Sequence, residues 1–191
     1  MPTSPLPDPL EIVPASAPVS GVAPVPGSKS ITNRALVLAA LASGTTTLTN
    51  ALFADDTARM GDCLRALGFT VEADEPAQTF TVHGLGGWIP ATDAALIVGN
   101  SGTTARFVTP VAALGFGTFI LDGDPRMRER PIGDLLTALA ALGVRAESVA
   151  GNGCPPVTIH AAGLHGGETA VRADTSSQFL SGLLLAAPCA T

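Results

Sequence analysis

The sequence has little charge and no long apolar run. Only 14% of its 191 residues are charged and 46% are hydrophobic, a composition that excludes an intrinsically disordered chain. Its apolar runs are interrupted, in one case by Ser43 and Gly44 and in another by Ser181 and Pro188, so none approaches the roughly 20 residues of a membrane span. The first 16 residues have neither a basic start nor an apolar core, and we therefore expect no secretory signal and no membrane partner.

Cysteine is also scarce. The three cysteines, Cys63, Cys154 and Cys189, are odd in number and widely spaced, with no Cys-x-x-Cys pair. This pattern argues against a disulfide framework or a structural zinc site, and it predicts reduced thiols in a cytoplasmic protein. The three histidines lack the spacing of metal ligands. We interpret the acidic pair Asp55 and Asp56 as a helix cap and expect no metal site.

The net charge of −6 argues against nucleic acid as a partner. The basic residues are nevertheless concentrated, because six of the ten fall in three short motifs. These six are Lys29, Arg34, Arg106, Arg126, Arg128 and Arg130. Lys29 is the only lysine of the sequence and stands between two serines. An acidic protein that concentrates its cations in this way is a candidate binder of a small anion.

The sequence contains an internal repeat. Apolar helical stretches begin at Arg34, Arg106 and Gln178, and both steps are 72 residues long (106 − 34 and 178 − 106). Further along each copy, the stretch 56–73 corresponds to 130–148. Each copy predicts a helix, a strand, a second amphipathic helix that ends at a glycine, and short closing strands.

We interpret each copy as a βαβαββ module and the chain as an α/β (α+β) protein. The first copy covers about 26–98, the second about 99–170, and the third, which is incomplete, 171–191. Because the helices are apolar on more than one face, we expect them to pack inward with the sheets outside. The incomplete third copy leads us to expect that the chain is the amino-terminal part of a longer protein.

Small and hydroxyl-bearing residues precede the first helix of each copy, at 27–30, 99–104 and 174–177. A helix amino terminus exposes unpaired N–H groups and the positive end of the helix dipole, and it therefore attracts anions. Ordinary N-capping by Ser, Thr or Asn is the alternative for any one of these turns. The nearby cations favour an anion site, because a cap requires neither Lys29 nor Arg34. We expect the three turns to share one pocket for anions.

The stretch 121–136 places Arg126, Arg128 and Arg130 at alternating positions before Pro131. Arginine is suited to bidentate contacts with carboxylate or phosphate groups. We expect Pro131 to be the first residue of a helix, which would hold Arg130 beside the helix start. We interpret Arg126 and Arg128 as solvated loop charges and Arg130 as the functional residue.

Four ordered motifs together resemble the enolpyruvyl transferase family: "PGSKSITNRALVLAALASG", "GNSGTTARF", "GDPRMRERPIG" and "SSQFLSGLL". The resemblance runs from about Val25 to the last residue. The family has two domains, each of three βαβαββ copies arranged like an inverse α/β barrel, with buried helices and outer sheets. The resemblance implies that residues 1–25 pair with the second domain. It also implies that residues 26–191 form the amino-terminal domain, with the third module truncated.

The resemblance implies transfer of the enolpyruvyl group of phosphoenolpyruvate to the 5-hydroxyl of shikimate 3-phosphate, with release of phosphate and without a metal or organic cofactor. It implies that shikimate 3-phosphate is contacted by Lys29, Ser30, Arg34, Ser176, Ser177 and Gln178. It implies that phosphoenolpyruvate is contacted by Lys29, Gly102, Arg130 and Gln178. Lys29 would lie between the two substrates and is the catalytic candidate, and Arg106 would be a supporting charge.

The general acid and base of the family, an Asp and a Glu, lie in its second domain, so we expect this chain alone to be inactive. The resemblance implies a monomer for the full-length protein. Two alternatives stay open: a family member that acts on UDP-N-acetylglucosamine, and a non-catalytic anion-binding domain. The first typically has Lys-Asn where this sequence has Lys29 and Ser30, and a reactive cysteine where it has Pro125.

Overall fold

Two β-sheets flank a group of α-helices in the computed structural model, which describes residues 9–191, so the first eight residues of the predicted amino-terminal segment lie outside it. The helices are α1 (Lys29–Leu41), α2 (Asp55–Ala66), α3 (Gly102–Ala113), α4 (Gly133–Ala141) and α5 (Gln178–Ala186). The strands are β1 (Ser43–Leu48), β2 (Thr70–Asp74), β3 (Thr79–Leu85), β4 (Asp93–Ile97), β5 (Phe116–Asp122), β6 (Arg145–Ser148) and β7 (Val157–Ala162). Two 3₁₀ turns, Met127–Glu129 and Ala187–Cys189, follow β5 and α5.

The strands form one sheet of three and one sheet of four. In the first sheet the order is β1-β3-β2, and both neighbouring pairs are antiparallel. Val82 of the central strand β3 lies opposite Thr46 of β1 and Val71 of β2. In the second sheet the order is β4-β5-β7-β6, with β4 parallel to β5 and the other pairs antiparallel. The parallel pair is connected through α3, as a β-α-β crossover requires.

The second copy of the repeat has the predicted βαβαββ order, because its elements follow as β4-α3-β5-α4-β6-β7. The first copy departs from this order, since it runs α1-β1-α2-β2-β3 and has no leading strand within the described residues. The repeat offset would place that strand near 21–25, but residues 9–28 form neither helix nor strand. Their apolar side chains are unpacked, with Ile12, Val13 and Val22 exposed by 76%, 79% and 97%. A strand requires a hydrogen-bonding neighbour, and none lies beside this segment in the described part of the chain.

The second helix of each copy ends in the same motif. Gly68 and Gly143 follow α2 and α4 and take φ values of 97° and 81°, which favour glycine. Each glycine donates its N–H to the carbonyl three residues earlier, and the next residue donates to the carbonyl five residues earlier. These bonds satisfy the free carbonyl groups of the helix end. The predicted helix-ending glycines are therefore confirmed in both copies.

Helix α3 is the centre of the core. Eleven of its 12 residues are buried, and it packs against α1, α2 and α5 and against β5 and β7. The strands keep one face exposed, as in β3, where buried and accessible residues alternate. The predicted arrangement of inner helices and outer sheets is confirmed. Within residues 9–191, no helix is both long enough and apolar enough to span a bilayer.

The segment before α4 differs from the prediction in two respects. Pro131 is not the first helical residue, because α4 begins at Gly133 and Ile132 occupies the cap position. The Ile132 N–H donates to the carbonyl of Gly153 (2.8 Å), which holds this residue outside the helix. The arginines before Pro131 do not alternate along an extended chain, because a 3₁₀ turn lies there and the Arg130 N–H closes it.

Candidate anion-binding site

A polar cleft of about 410 Å³ opens where the amino-terminal ends of four helices meet. The first residues of α1, α2, α3 and α5 all line it. The complete lining is Lys29, Asp55, Asp56, Asn100, Gly102, Thr103, Arg106, Arg130 and Gln178. The structure therefore brings the first helices of all three copies to one cleft, although they are 72 residues apart in the sequence.

The amino-terminal turn of α3 presents bare backbone to this cleft. Ser101 is fully buried, and its Oγ accepts the N–H of Thr104 (3.2 Å), so one free helical donor is capped. The N–H groups of Gly102 and Thr103 donate no hydrogen bond within the described residues. A Cβ on Gly102 would lie 3.0 Å from Nη1 of Arg130 and 3.3 Å from Nη1 of Arg106. Glycine therefore lets two guanidinium groups lie against a helix start that carries free N–H groups.

The two guanidinium groups are held by neutral groups. Arg106 Nη1 donates to Oε1 of Gln178 (2.8 Å), and Gln178 Nε2 donates to Oγ1 of Thr103 (3.0 Å). Arg130 Nη1 donates to the carbonyl of Asn100 (3.2 Å). Burial, and then the neighbouring charge of Arg130, holds the pKa of Arg106 below its ordinary value, although an arginine keeps its charge in proteins. Within residues 9–191 neither arginine pairs with a carboxylate.

Lys29 differs from these arginines because it has an acidic neighbour. Its Nζ lies 3.4 Å from Oδ2 of Asp56, and both side chains are partly exposed. Oδ1 of Asp56 accepts a hydrogen bond from Oγ of Ser101 (2.9 Å), and its main-chain carbonyl accepts one from Oγ1 of Thr104 (3.1 Å). Asp56 therefore connects the start of α2 to the starts of α1 and α3.

The predicted capping role of Asp55 and Asp56 is wrong. The cap residue of α2 is Ala54, and the two aspartates are the first helical residues. Oγ1 of Thr57 accepts the N–H of Ala54 (3.0 Å) and donates to its carbonyl (2.9 Å), so a threonine at the third helical position closes this turn. Both aspartates line the cleft at the start of α2, where they interact favourably with the helix dipole, and Asp55 also lies 3.4 Å from Nε of Arg59.

Four predicted site residues lie outside the cleft lining: Ser30, Arg34, Ser176 and Ser177. Arg34 contacts Ser30 directly and Ser177 through Ser181. Its Nη1 donates to the carbonyl of Ser30 (3.0 Å), and its Nη2 donates to Oγ of Ser181 (3.4 Å). The Ser181 hydroxyl donates to the carbonyl of Ser177 (3.2 Å). Oγ of Ser176 accepts the N–H of the first α5 residue (3.2 Å). We call these four residues the rim, since they flank the residues of α1 and α5 that line the cleft.

Sequence reasoning missed five residues of this region, one of which is Asp55, expected only as a helix cap. Asn100 and Thr103 lie in the predicted turn 99–104, but no pattern distinguishes them from the hydroxyl-bearing residues beside them. Asp56 and Ser181 contact partners that are 27 and 147 residues away in the chain, so no local pattern could find them. Within residues 9–191, no group of three or more metal-ligating side chains could hold a metal ion.

The fold and the cleft define a class of protein: a repeat domain of inner helices and outer sheets, in which converging helix amino termini and cationic side chains line one polar cleft. The family model described as EPSP synthase (3-phosphoshikimate 1-carboxyvinyltransferase) matches residues 13–191. The chain therefore belongs to the EPSP synthase family.

Relatives with this name agree with the match. The chain is 45% identical to the 3-phosphoshikimate 1-carboxyvinyltransferase of Nostoc punctiforme over 96% of its own length and 43% of the relative's. It is 49% identical to that of Shewanella denitrificans over 90% of its own length and 40% of the relative's. The EPSP synthase structure from Acinetobacter baumannii matches with a TM-score of 0.77 and 30% identity, over 87% of this chain and 38% of that one. The chain thus spans about two fifths of the length of these relatives.

Proposed function

We propose that this chain provides the substrate-binding amino-terminal domain of a 3-phosphoshikimate 1-carboxyvinyltransferase. The reaction moves the enolpyruvyl group of phosphoenolpyruvate to the 5-hydroxyl of shikimate 3-phosphate and releases phosphate. Family membership supports this proposal, and so does the name of the relatives in Nostoc and Shewanella. The same names favour this reaction over the alternative that uses UDP-N-acetylglucosamine.

The observation that carries the proposal is the presence of arginines without carboxylate partners at the cleft and its rim. Arg34, Arg106 and Arg130 donate only to carbonyl, amide or hydroxyl oxygens within the described residues. Other arginines, such as Arg128 and Arg145, have a carboxylate within 2.7 Å and 3.2 Å. The three arginines are half-buried, and half-buried cations without a carboxylate partner, beside free helical N–H groups, are suited to a bound phosphate or carboxylate.

We assign the residues to two substrate sites. Shikimate 3-phosphate would bind at Lys29, Ser30, Arg34, Ser176, Ser177 and Gln178. Phosphoenolpyruvate would bind at Lys29, Gly102, Arg130 and Gln178. Arg106 would be a supporting charge for the site as a whole. Lys29 belongs to both sets, and its contact with Asp56 (3.4 Å) is long enough to be exchanged for a contact with substrate.

These residues would contribute to catalysis by position and by charge. Addition of the 5-hydroxyl to phosphoenolpyruvate, followed by loss of phosphate, passes through a tetrahedral intermediate that carries several negative charges. Cations that are already in place stabilise such a species without reorganisation, and they hold both reactants together. The resemblance assigns the general acid and base to a second domain. We therefore expect no phosphate release by this chain alone, and measurable release would contradict that expectation.

We also propose that residues 171–191 begin a third module. Thr191 donates its N–H to the carbonyl of Leu164 (3.0 Å), and its own carbonyl accepts the N–H of Gly166 (2.8 Å). Two neighbouring parallel strands form the same pair of hydrogen bonds. Leu184 of α5 is 61% exposed, whereas Ala112, the residue one repeat earlier, is fully buried. Further elements of such a module would cover this face.

The proposed function also includes a cytoplasmic location, a monomeric state and independence of cofactors. Family membership supports all three, and the three free cysteines support the location.

Calorimetric titration with shikimate 3-phosphate tests the site. We expect binding by the wild type and about 10- to 100-fold weaker binding by Lys29→Ala, because a hydrogen bond to a charged group contributes about 1.5–3 kcal/mol. Arg145→Ala is the matched control, since it removes an exposed cation of β6 that pairs with Glu147 and does not line the cleft. Equal affinity of wild type and Lys29→Ala would contradict the site, and preferential binding of UDP-N-acetylglucosamine would favour the alternative reaction.

A further inference from the structure

Two arginines stack on phenylalanine rings in the same way. The Cζ atom of Arg34 lies 5.0 Å from the ring centroid of Phe107, and the Cζ atom of Arg106 lies 5.0 Å from that of Phe179. Both pairs join consecutive copies of the repeat, since the arginines and the phenylalanines are each 72 positions apart (106 − 34 and 179 − 107). The second and third copies thus each provide the ring on which the arginine of the preceding copy stacks.

The third position of the repeat carries no such pair. The residues that correspond to the arginine and the ring there are Gln178 and Ala35, neither of which can form a cation–π contact. Gln178 instead donates to Thr103 and accepts from Arg106. Two stacked guanidinium groups and one amide therefore stand at the three equivalent positions.

A guanidinium group that must receive an anion has to be ordered without being neutralised. A carboxylate partner would order it but would also compete with the ligand. A ring face attracts the cation through the ring quadrupole and leaves the N–H groups in the guanidinium plane free. Phe107 and Phe179 are fully buried, so their rings are themselves held by the core.

We propose that Phe107 and Phe179 are positioning residues, which hold the guanidinium groups of Arg34 and Arg106 ready for an anionic ligand by cation–π stacking. The identity of the ligand rests on the function proposed above, whereas the stacking does not. The two rings act on different parts of the site, because Arg106 lines the cleft and Arg34 connects the rim residues.

Proton NMR of the protein without ligand tests the stacking directly. Protons above a ring face are shifted upfield, so the δ and ε protons of Arg106 should resonate upfield of their usual positions. The shift should disappear in Phe179→Leu and persist in Phe179→Tyr, which keeps the ring. Phe119→Leu is the matched control, because Phe119 is another fully buried phenylalanine but lies on β5 and has no stacked cation within the described residues. Unshifted Arg106 protons in the folded wild type would overturn the proposal without any variant.

Titration with shikimate 3-phosphate tests the consequence for binding. Arg106 orders Gln178, which belongs to the shikimate 3-phosphate set, so we expect about 3- to 30-fold weaker binding by Phe179→Leu, the range of a partly desolvated cation–π contact. Phe179→Tyr should recover most of the affinity, and Phe119→Leu should bind within about twofold of the wild type, since its loss is confined to stability. Unchanged affinity of Phe179→Leu would overturn the proposal, as would equal weakening by Phe119→Leu. If the wild type binds no shikimate 3-phosphate, the function proposed above fails, and the Arg106 resonances then decide the present proposal alone.

Discussion

Replacing Gly182 with alanine should destabilise the protein, whereas replacing Gly61 with alanine should stabilise it. Both glycines lie inside helices, Gly61 in α2 and Gly182 in α5. A Cβ on Gly61 would meet only the guanidinium end of Arg65, at 3.4 Å or more. A Cβ on Gly182 would overlap the main-chain carbonyl oxygen of Arg106 on α3. Because Pro110 has no N–H, that carbonyl lacks its helical donor and stays directed toward α5.

The size of the difference follows from these contacts. Alanine is favoured over glycine inside a helix by about 0.5–1 kcal/mol, and Gly61→Ala should keep this gain because an arginine end can move aside. At Gly182 the obstacle is backbone, so α5 must move away from α3 by on the order of 1 Å to reach an ordinary contact distance. Such overpacking costs about 1–3 kcal/mol and outweighs the helix preference. The helix preference is common to both sites, so the free energies of unfolding of the two variants should differ by the overpacking cost, about 1–3 kcal/mol.

Urea titration followed by far-ultraviolet circular dichroism measures this difference. The wild type should lie between the two variants in its unfolding midpoint, with similar slopes for all three, so that the midpoints report stability. If Gly182→Ala is as stable as Gly61→Ala, the close approach of α5 to the Arg106 carbonyl is refuted. The packing that holds Gln178 at the cleft would be refuted with it.

Three further outcomes are expected. Gly102→Ala should weaken phosphoenolpyruvate binding about tenfold, because a Cβ 3.0 Å from the Arg130 guanidinium displaces a charged donor, and calorimetry showing no change would contradict this. The hydrogen bond and charge of Arg128 hold the pKa of Asp122 below its ordinary value. The ion pair therefore stabilises the fold at pH values above that ordinary pKa, and this stabilisation is lost as the pH falls through the folded-state pKa. Arg128→Ala should therefore be less stable than the wild type at neutral pH and equal to it in acid, and a constant difference across the titration would count against the pair. Burial raises the pKa of the Cys63 thiol to about 12, so iodoacetamide at neutral pH should modify it only after unfolding. Mass spectrometry measures the modification, and rapid labelling of the native protein would contradict this expectation.

The repeat and the start of the first helix in each copy were predictable because they depend on local pattern. The spacing of 72 residues between equivalent apolar stretches predicted the βαβαββ copy that the structure contains. Glycine after a helix was recognisable for the same reason, since only a few residues around Gly68 and Gly143 decide the ending. The unpaired segment 9–28 was less predictable, because a strand forms only where another strand lies beside it.

The sequence by itself determined which turns carry cations and where the first helix of each copy begins, because residue type and apolar period act over a few neighbouring positions. Only the tertiary structure decided how those residues are combined. It separated Arg130 in the cleft from Arg34 at the rim, and it placed Asp56 beside Lys29. The stacked pairs of arginine and phenylalanine join residues 73 positions apart (107 − 34 and 179 − 106). Contacts over such separations depend on how whole helices pack around α3, and that packing is a property of the complete core.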